Sequence, residues 1–214
     1  MVDSIEGSIT CNWETLWAPY EEEIYDWILV RLRQGERVLD IGAGDLSFAL
    51  RMAERGCQVI AVERQWAVLV RGLQALGIHP GVLRWEQPLV LYEGQMVVVW
   101  ADARTWPFPP VESAVLLMRH CATFPLYIHK LRAVGCRRLF TNARWRMGVE
   151  QVDLTRAFSF EEIPLGWYAC RCGAVGFREG SPERIDAAVL EQVWEVETCP
   201  ACQLASEGSE RGFM

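Results

Sequence analysis

The chain has 214 residues, 51% of them apolar and 23% charged, which suffices for one full-sized hydrophobic core with a small extension and excludes a disordered chain. Its formal net charge of −7 argues against a broad, non-specific grip on nucleic acid, although it allows a local arginine patch. The first 15 residues lack a secretory signal and no run of 18 apolar residues occurs, so we expect a cytoplasmic protein without a membrane partner.

Hydrophobic periodicity predicts alternating helices and strands from about residue 13 to residue 145. An amphipathic lead-in helix over residues 13–33 is followed by a strand at 37–41, a glycine turn, a helix at 46–55 and a second strand at 58–63. This stretch has the length that a βαβ unit with parallel strands needs, and a parallel sheet is covered by helices.

The same alternation continues further along the chain. A helix is predicted over 66–76, a hairpin of two extended stretches over 82–90 and 96–101, a strand over 113–118, a helix over 124–134 and a strand over 138–141. Five strands with intervening helices predict an open, doubly wound α/β sheet. We expect residues 1–157 to form this domain, residues 158–204 a small β-rich appendage and residues 205–214 a flexible tail.

The turn after the first strand, in the stretch RVLDIGAGDLSFAL, combines glycines with carboxylates. A glycine turn between a strand and a helix lets the backbone approach a ligand closely. However, Asp40 before the turn and Asp45 within it place negative charge where a dinucleotide would bring its pyrophosphate, and the third glycine of that motif is absent. A ligand with a positively charged centre fits these acids better.

The stretch VLDIGAG, with AVERQ about twenty residues later and ADARTWPFP further on, resembles the class I S-adenosylmethionine-dependent methyltransferases over roughly residues 13 to 145. The resemblance implies a Rossmann-like, mostly parallel sheet and S-adenosylmethionine as the cofactor. The cofactor-binding residues that it implies are Asp40, Gly42, Ala43, Gly44, Glu63, Arg64, Asp102 and Ala103.

The resemblance also implies a separate role for each acid. Asp40 is expected near the ammonium group of the cofactor, Glu63 at both ribose hydroxyls, and Asp102 at the adenine amino group. Trp66 or Trp106 is then expected to stack on the adenine.

The chain departs from the family at two places: Leu46 stands where the family often has another glycine, and the fourth strand ends in LMRHC, which matches no substrate signature. His120 in that segment is the candidate catalytic base, because it falls where the acceptor approaches and histidine titrates near neutral pH. The alternative is a loop histidine that caps the strand end. Arg119 is expected to bind an anionic group, and Asn142 and Tyr127 are further candidates for the substrate pocket or for a structural role.

Four of the eight cysteines form two close pairs, Cys170 with Cys172 and Cys199 with Cys202. Four thiolates on two tight turns provide the tetrahedral ligand set of zinc, and a complete set of protein ligands makes such a site structural. The segment resembles a zinc ribbon, and metal binding would help so short a segment to fold. The alternatives are a redox-active Cys-Pro-Ala-Cys pair and unpaired structural cysteines.

The leading hypothesis is an S-adenosylmethionine-dependent methyltransferase with structural zinc, whose acceptor is an unidentified small molecule, protein or RNA. The alternative is a non-catalytic module that binds the cofactor, or that recruits a protein partner or a second copy of the chain through the zinc-ribbon segment. RNA methylation is a further hypothesis, in which Arg137, Arg138, Arg144 and Arg146 form a local basic patch.

Overall fold

The computed structural model describes residues 20–119, 121–144 and 147–202. Its helices are α1 (Glu22–Leu29), α2 (Ser47–Glu54), α3 (Trp66–Ala75), α4 (Phe124–Ala133) and α5 (Ala187–Glu191). Its strands are β1 (Arg37–Ile41), β2 (Gln58–Glu63), β3 (Pro88–Leu91), β4 (Met96–Trp100), β5 (Ser113–Leu116), β6 (Arg138–Thr141), β7 (Glu150–Asp153), β8 (Gly166–Cys170), β9 (Val175–Arg178) and β10 (Val193–Val196). In these three ranges, no helix combines the length and the apolar character that crossing a membrane requires.

The main sheet has seven strands in the order β3-β4-β2-β1-β5-β6-β7. The five strands β4, β2, β1, β5 and β6 run parallel to one another. Numbered by their place in the chain, these five strands follow the order 3-2-1-4-5, which is the Rossmann-like arrangement. The prediction of a doubly wound, mostly parallel α/β sheet is therefore confirmed.

Apolar side chains alternate between the two faces of the parallel strands. In β1, Val38 packs into the core that α1, α2 and α3 cover, whereas Leu39 and Ile41 pack into the core on the opposite face, against α4. Because both faces are covered, the strands are almost continuously apolar rather than alternately polar. The exception in β1 is Asp40, which is buried together with its neighbours.

Both edge strands of the main sheet are antiparallel to their neighbours. β3 forms the predicted hairpin with β4, in which Pro88 pairs with Val99 and Leu91 with Met96. β7 pairs with β6 on the other edge and was not predicted from the sequence. Its residues EQVD bury only Val152, so no apolar period marks it as a strand.

Three predicted bounds were wrong in part. The lead-in helix predicted over residues 13–33 ends at Leu29, where the chain turns, while residues 13–19 lie outside the described residues. The extended stretch predicted over 82–90 begins only at Pro88, because the chain turns at Glu86, which has φ of 58°, and residues 84, 85 and 87 form only isolated bridges. The strand predicted over 113–118 ends at Leu116, and the two residues after it line a cleft.

The C-terminal segment forms a second, small sheet with the strand order β10-β8-β9. β9 is antiparallel to β8, whereas β10 is parallel to it. Arg144, which follows β6, joins the two sheets: its Nε lies 2.6 Å from Glu150 Oε1 of β7, and its Nη1 lies 3.0 Å from Glu195 Oε2 of β10. The β-rich appendage is thus present, its boundary at residue 157 stays a prediction, and residues 205–214 lie outside the described residues.

Candidate functional site

A cleft of about 890 Å³ opens at the carboxyl ends of β1, β2, β4 and β5. It lies where the strand order reverses between β1 and β5, which is the place where doubly wound sheets bind ligands. Its volume is near the upper end of the range of about 300–1,000 Å³ that is usual for small-molecule sites. The predicted residues that line it are Asp40, Gly42, Ala43, Glu63, Arg64, Asp102 and Ala103, and Gly44 is joined to it by a bond to Glu63.

The turn between β1 and α2 depends on its two glycines. Gly42 and Gly44 have φ angles of +75° and +59°, a region that residues with a side chain seldom adopt. A Cβ atom on Gly42 would lie 3.0 Å from Met118 Cε, so the turn also lies close against the segment that follows β5. The N–H groups of Gly42 and Ala43 donate to Val62 O at 2.9 and 3.1 Å and fix the turn against β2.

Asp40 is buried at the end of β1, with 4% of the residue exposed. Its Oδ2 atom has no hydrogen-bond partner among the described residues. Burial, together with the nearby carboxylate of Glu63, raises the pKa of Asp40 to about 7. Because a buried carboxylate oxygen without a donor is unfavourable, the site favours a ligand that brings a positively charged donor to Asp40.

Glu63 ends β2 and is held in a fixed orientation by backbone donors of Gly44, Arg64 and Gln65. The N–H of Gly44 donates to its Oε2 at 2.9 Å, and the N–H of Gln65 donates to its Oε1 at 2.5 Å. Burial is the main reason why the pKa of Glu63 is raised, and these hydrogen bonds oppose it. Since a carboxylate has about four acceptor positions and the backbone of Arg64 also bonds Glu63, about one position remains for a ligand.

Asp102, which follows β4, is paired with its own neighbour Arg104. The Nε atom of Arg104 lies 3.0 Å from Oδ1 and 3.1 Å from Oδ2, and its Nη2 lies 2.6 Å from Oδ2. These bonds lower the pKa of Asp102. Sequence reasoning missed Arg104, although a residue two positions after an aspartate is the one whose N–H an Asx turn engages.

Lys130 of α4 anchors the loop that carries Asp102. Its Nζ donates to the carbonyl oxygens of Ala103, Arg104 and Trp106 at 2.6, 3.2 and 2.7 Å. All three N–H groups of the ammonium therefore have an acceptor, and the backbone of the loop is fixed from one side.

Aromatic residues line the cleft near the end of β5. Tyr20 donates its hydroxyl to Leu117 O at 3.0 Å, and its N–H donates to the hydroxyl oxygen of Tyr25 at 3.0 Å. The guanidinium carbon of Arg119 lies 5.5 Å from the centre of the Tyr20 ring. Neither Tyr20 nor Tyr25 was predicted as a site residue, because no motif marks them.

Only some of the residues predicted on the substrate side line the cleft. Arg119 and Tyr127 line the cleft. Asn142 follows β6, is absent from the cleft lining, and has a buried side-chain amide without a partner among the described residues. His120, the predicted base, lies outside the described residues, so its role stays a prediction.

The two tryptophans predicted to stack on adenine are also absent from the cleft lining. The ring of Trp66 packs against Trp100, with 4.4 Å between the ring centres, and Trp106 lies 6.4 Å from Phe108. Both rings are therefore used in packing beside the cleft.

The four predicted cysteine ligands come together in the C-terminal segment. The Sγ–Sγ distances are 3.6 Å for Cys170–Cys202, 3.8 Å for Cys172–Cys199 and 3.7 Å for Cys199–Cys202. Four thiolates that each lie about 2.3 Å from a tetrahedral zinc ion are about 3.8 Å apart, so a metal ion fits among these sulfurs. The N–H groups of Cys172 and Ala174 each point to a ligand sulfur at 3.5 Å, which favours thiolates.

Of the four arginines predicted to form a basic patch near β6, Arg137 is exposed whereas Arg138 and Arg144 are paired with carboxylates, and the RNA hypothesis stays a prediction. The side chain of Arg144 has no exposed surface and pairs with two carboxylates. Arg138 pairs with the buried Glu36 at 2.5 Å. Arg146 lies outside the described residues.

Comparison with protein-family models and with curated protein sequences gave no match. Solved structures with a similar fold include precorrin 8w decarboxylase from Methanobacterium thermoautotrophicum, with 17% identity over 60% of this chain and 66% of that chain and a TM-score of 0.45. Phosphoethanolamine N-methyltransferase 2 from Haemonchus contortus, in complex with S-adenosylhomocysteine, has 18% identity over 56% of this chain and 28% of that chain and a TM-score of 0.43.

A third structure is 1,6-didemethyltoxoflavin-N1-methyltransferase from Burkholderia thailandensis, with 18% identity, 56% and 49% coverage of the two chains and a TM-score of 0.38. This chain spans less than two thirds of the length of each of the three proteins. Many of the solved structures found in this way are S-adenosylmethionine-dependent methyltransferases.

Proposed function

We propose that the protein is an S-adenosylmethionine-dependent methyltransferase that acts on an acceptor still to be identified. One observation carries this function: Asp40, Glu63 and Asp102 stand at the ends of three neighbouring parallel strands and line one cleft. A nucleoside with a cationic amino-acid tail presents an ammonium group, a vicinal diol and an aromatic amine along its length. Each of these is a hydrogen-bond donor that suits a carboxylate.

In this function each cleft residue has its own task. Asp40 is the counter-ion of the ammonium group, which is the donor that its Oδ2 lacks. The turn Gly42-Ala43-Gly44 lets the backbone approach the methionine part, and the carboxylate of Glu63 accepts from the ribose hydroxyls. Asp102 and Ala103 serve the adenine end, and Arg64 flanks it.

The acceptor side of the cleft lies beside the segment that follows β5. When bound, S-adenosylmethionine supplies an activated methyl group. The protein has to align the acceptor atom with that methyl group and exclude water, and a base is needed only if the acceptor must lose a proton. Arg119 and Tyr127 are the described groups on this side that can hold an acceptor, and His120 is the proposed base.

Calorimetric titration with S-adenosylhomocysteine tests the cofactor site. We expect one saturable site per chain, with the affinity lowered about 10- to 100-fold in Asp40→Asn because the charge-assisted hydrogen bond is lost. Asp26→Asn, which removes an exposed carboxylate from α1, is the matched control. Absence of binding to the wild-type protein refutes the proposed function. Binding without transfer of a labelled methyl group to any fraction of a cell extract would instead favour the non-catalytic module.

We assign one structural zinc ion to Cys170, Cys172, Cys199 and Cys202 as part of the same proposal. Metal analysis should find one zinc per chain in the wild type and a loss of zinc in Cys170→Ser and in Cys202→Ser. Cys57→Ala removes a buried thiol outside the cluster and should keep the metal.

Two further parts of the proposal concern the surroundings of the protein. Thiols in such a cluster persist in a reducing compartment, so the expected location is the cytoplasm. A protein partner or a second copy of the chain on the zinc-ribbon segment stays a proposal.

A further inference from the structure

Every acceptor position of Asp102 that a ligand could use already has a donor. A carboxylate offers about four lone pairs. Oδ1 lies 3.0 Å from both the backbone N–H and the Nε of Arg104, while Oδ2 lies 2.6 Å from its Nη2 and 3.1 Å from its Nε. Arg64 adds a second guanidinium, with Nη1 3.7 Å from Oδ2. An aromatic amine that approaches Asp102 therefore finds no free acceptor while Arg104 stays in place.

The side chain of Arg104 can move away, whereas its backbone is held. The side chains of Arg104 and Asp102 are 38% and 18% exposed, so water can reach the pair and take over the hydrogen bonds of Asp102 when the guanidinium turns away. Lys130 binds the carbonyl oxygens of residues 103, 104 and 106 and keeps the loop in position. Access to Asp102 thus depends on the rotamer of one side chain.

We propose that Arg104 determines the nucleobase selectivity of the cleft by competing with the exocyclic amine of the base for Asp102. This inference rests on the proposed function, since a nucleoside cofactor must occupy the cleft. With Arg104 in place, the acceptor positions of Asp102 are taken, so the carboxylate does not distinguish a 6-amino group from a 6-oxo group. Without Arg104, the carboxylate accepts from a 6-amino group and repels a 6-oxo group.

Two ligands that differ only at this position test the inference. S-adenosylhomocysteine carries a 6-amino group, and S-inosylhomocysteine carries a 6-oxo group. We expect Arg104→Ala to bind S-adenosylhomocysteine about 3- to 10-fold more tightly than the wild type does, and S-inosylhomocysteine no more tightly. Arg132→Ala removes a comparable exposed ion pair with Glu197 outside the cleft and should keep the wild-type ratio of the two affinities.

The measured quantity is the affinity for S-adenosylhomocysteine divided by the affinity for S-inosylhomocysteine. If this ratio in Arg104→Ala equals the wild-type ratio or is smaller, the inference is overturned, because Arg104 then does not compete for Asp102. If the wild-type protein binds neither ligand, the proposed function fails together with the inference. If the wild type binds S-adenosylhomocysteine but Arg104→Ala shows no larger ratio, only the inference fails. Arg104→Gln, which keeps a neutral donor at this position, is the second variant if Arg104→Ala does not fold. Its ratio of the two affinities should lie between that of the wild type and the value expected for Arg104→Ala.

Discussion

Asp40 lies between Leu39 and Ile41 in β1, so the strand buries its carboxyl group whether or not a ligand is present. Burial and the charge of Glu63 raise the pKa of Asp40 from 3.8 to about 7. In the unfolded chain this group loses its proton near its ordinary pKa. The stability that the protonated group contributes is therefore complete below about pH 4 and is lost as the pH rises through about 7.

For the ligand-free protein we expect the free energy of unfolding to fall as the pH rises from about 4 to about 7, by up to about 1.4 kcal/mol per pH unit from this group. Asp40→Asn should flatten this part of the profile, because an amide does not titrate. Urea unfolding followed by tryptophan fluorescence measures both profiles. Asp26→Asn should follow the wild type, and equal slopes for the wild type and Asp40→Asn would contradict the expectation.

Leu46 combines two opposing properties at the start of α2. Its backbone is left-handed, with φ of 67°, while its side chain is buried with 1% of the residue exposed. We expect Leu46→Gly and Leu46→Ala both to be destabilised by about 2–4 kcal/mol through lost burial, with the glycine variant about 1 kcal/mol more stable because it relieves the backbone. Denaturant unfolding of the two variants decides the order. An alanine variant more stable than the glycine variant would show that the backbone is not strained there.

The site residues that the sequence reveals are those that directly follow an apolar strand. Asp40, Glu63 and Asp102 are of this kind, and their convergence follows because the carboxyl ends of parallel strands meet at one edge of the sheet. Tyr20 is of another kind, since its partner Leu117 lies 97 positions away. Arg104 was missed because the contact of its guanidinium with Asp102 depends on where the side chain points, which the Asx-turn spacing does not give.

At the scale of elements, α4 supports the cleft through the only lysine of the chain. Burial lowers the pKa of Lys130, and Asp102 opposes this. We expect Lys130→Met to destabilise the protein by about 2–4 kcal/mol and to weaken S-adenosylhomocysteine binding, because three loop carbonyls lose their donor. Thermal unfolding and calorimetric titration measure the two effects. Arg132→Met, on the same helix, removes an exposed ion pair and should lower the free energy of unfolding by less than about 1 kcal/mol. Similar losses of stability in the two variants would exclude a special role for Lys130.

Element type is predictable where the apolar pattern is long and both faces are buried. β1, β2 and β6 match their predicted ranges at both ends for this reason. α5 could not be predicted, since none of its five residues is buried. Asp186 is its N-cap, with Oδ1 accepting the N–H of Val189 at 2.9 Å, and so short a helix forms only in its tertiary context.

At the scale of the whole molecule, the two sheets share an interface of ion pairs centred on the fully buried side chain of Arg144. Although burial favours the neutral form of Arg144, the carboxylates of Glu150 and Glu195 raise its pKa above the ordinary value. Arg171, which lies between two of the cysteines, pairs with Glu197 and donates to Leu154 O at 3.1 Å. The cysteine cluster and the main sheet are therefore held by the same contacts.

With the proposed zinc ion bound to the four cysteines, its removal should consequently also destabilise the main sheet. If a chelator loosens the C-terminal sheet, Glu195 leaves and Arg144 keeps only one of its two carboxylates at a position with no exposed side-chain surface. Breaking a buried ion pair on one side costs about 3–5 kcal/mol, so we expect the free energy of unfolding of the whole chain to fall by a similar amount. Guanidinium unfolding followed by circular dichroism, with and without chelator and after zinc is added back, measures this.

An unchanged main transition beside a separate loss of the C-terminal sheet would show that the two sheets fold independently. A single transition that moves to lower denaturant and recovers with zinc would show that the metal stabilises the cleft domain through Arg144.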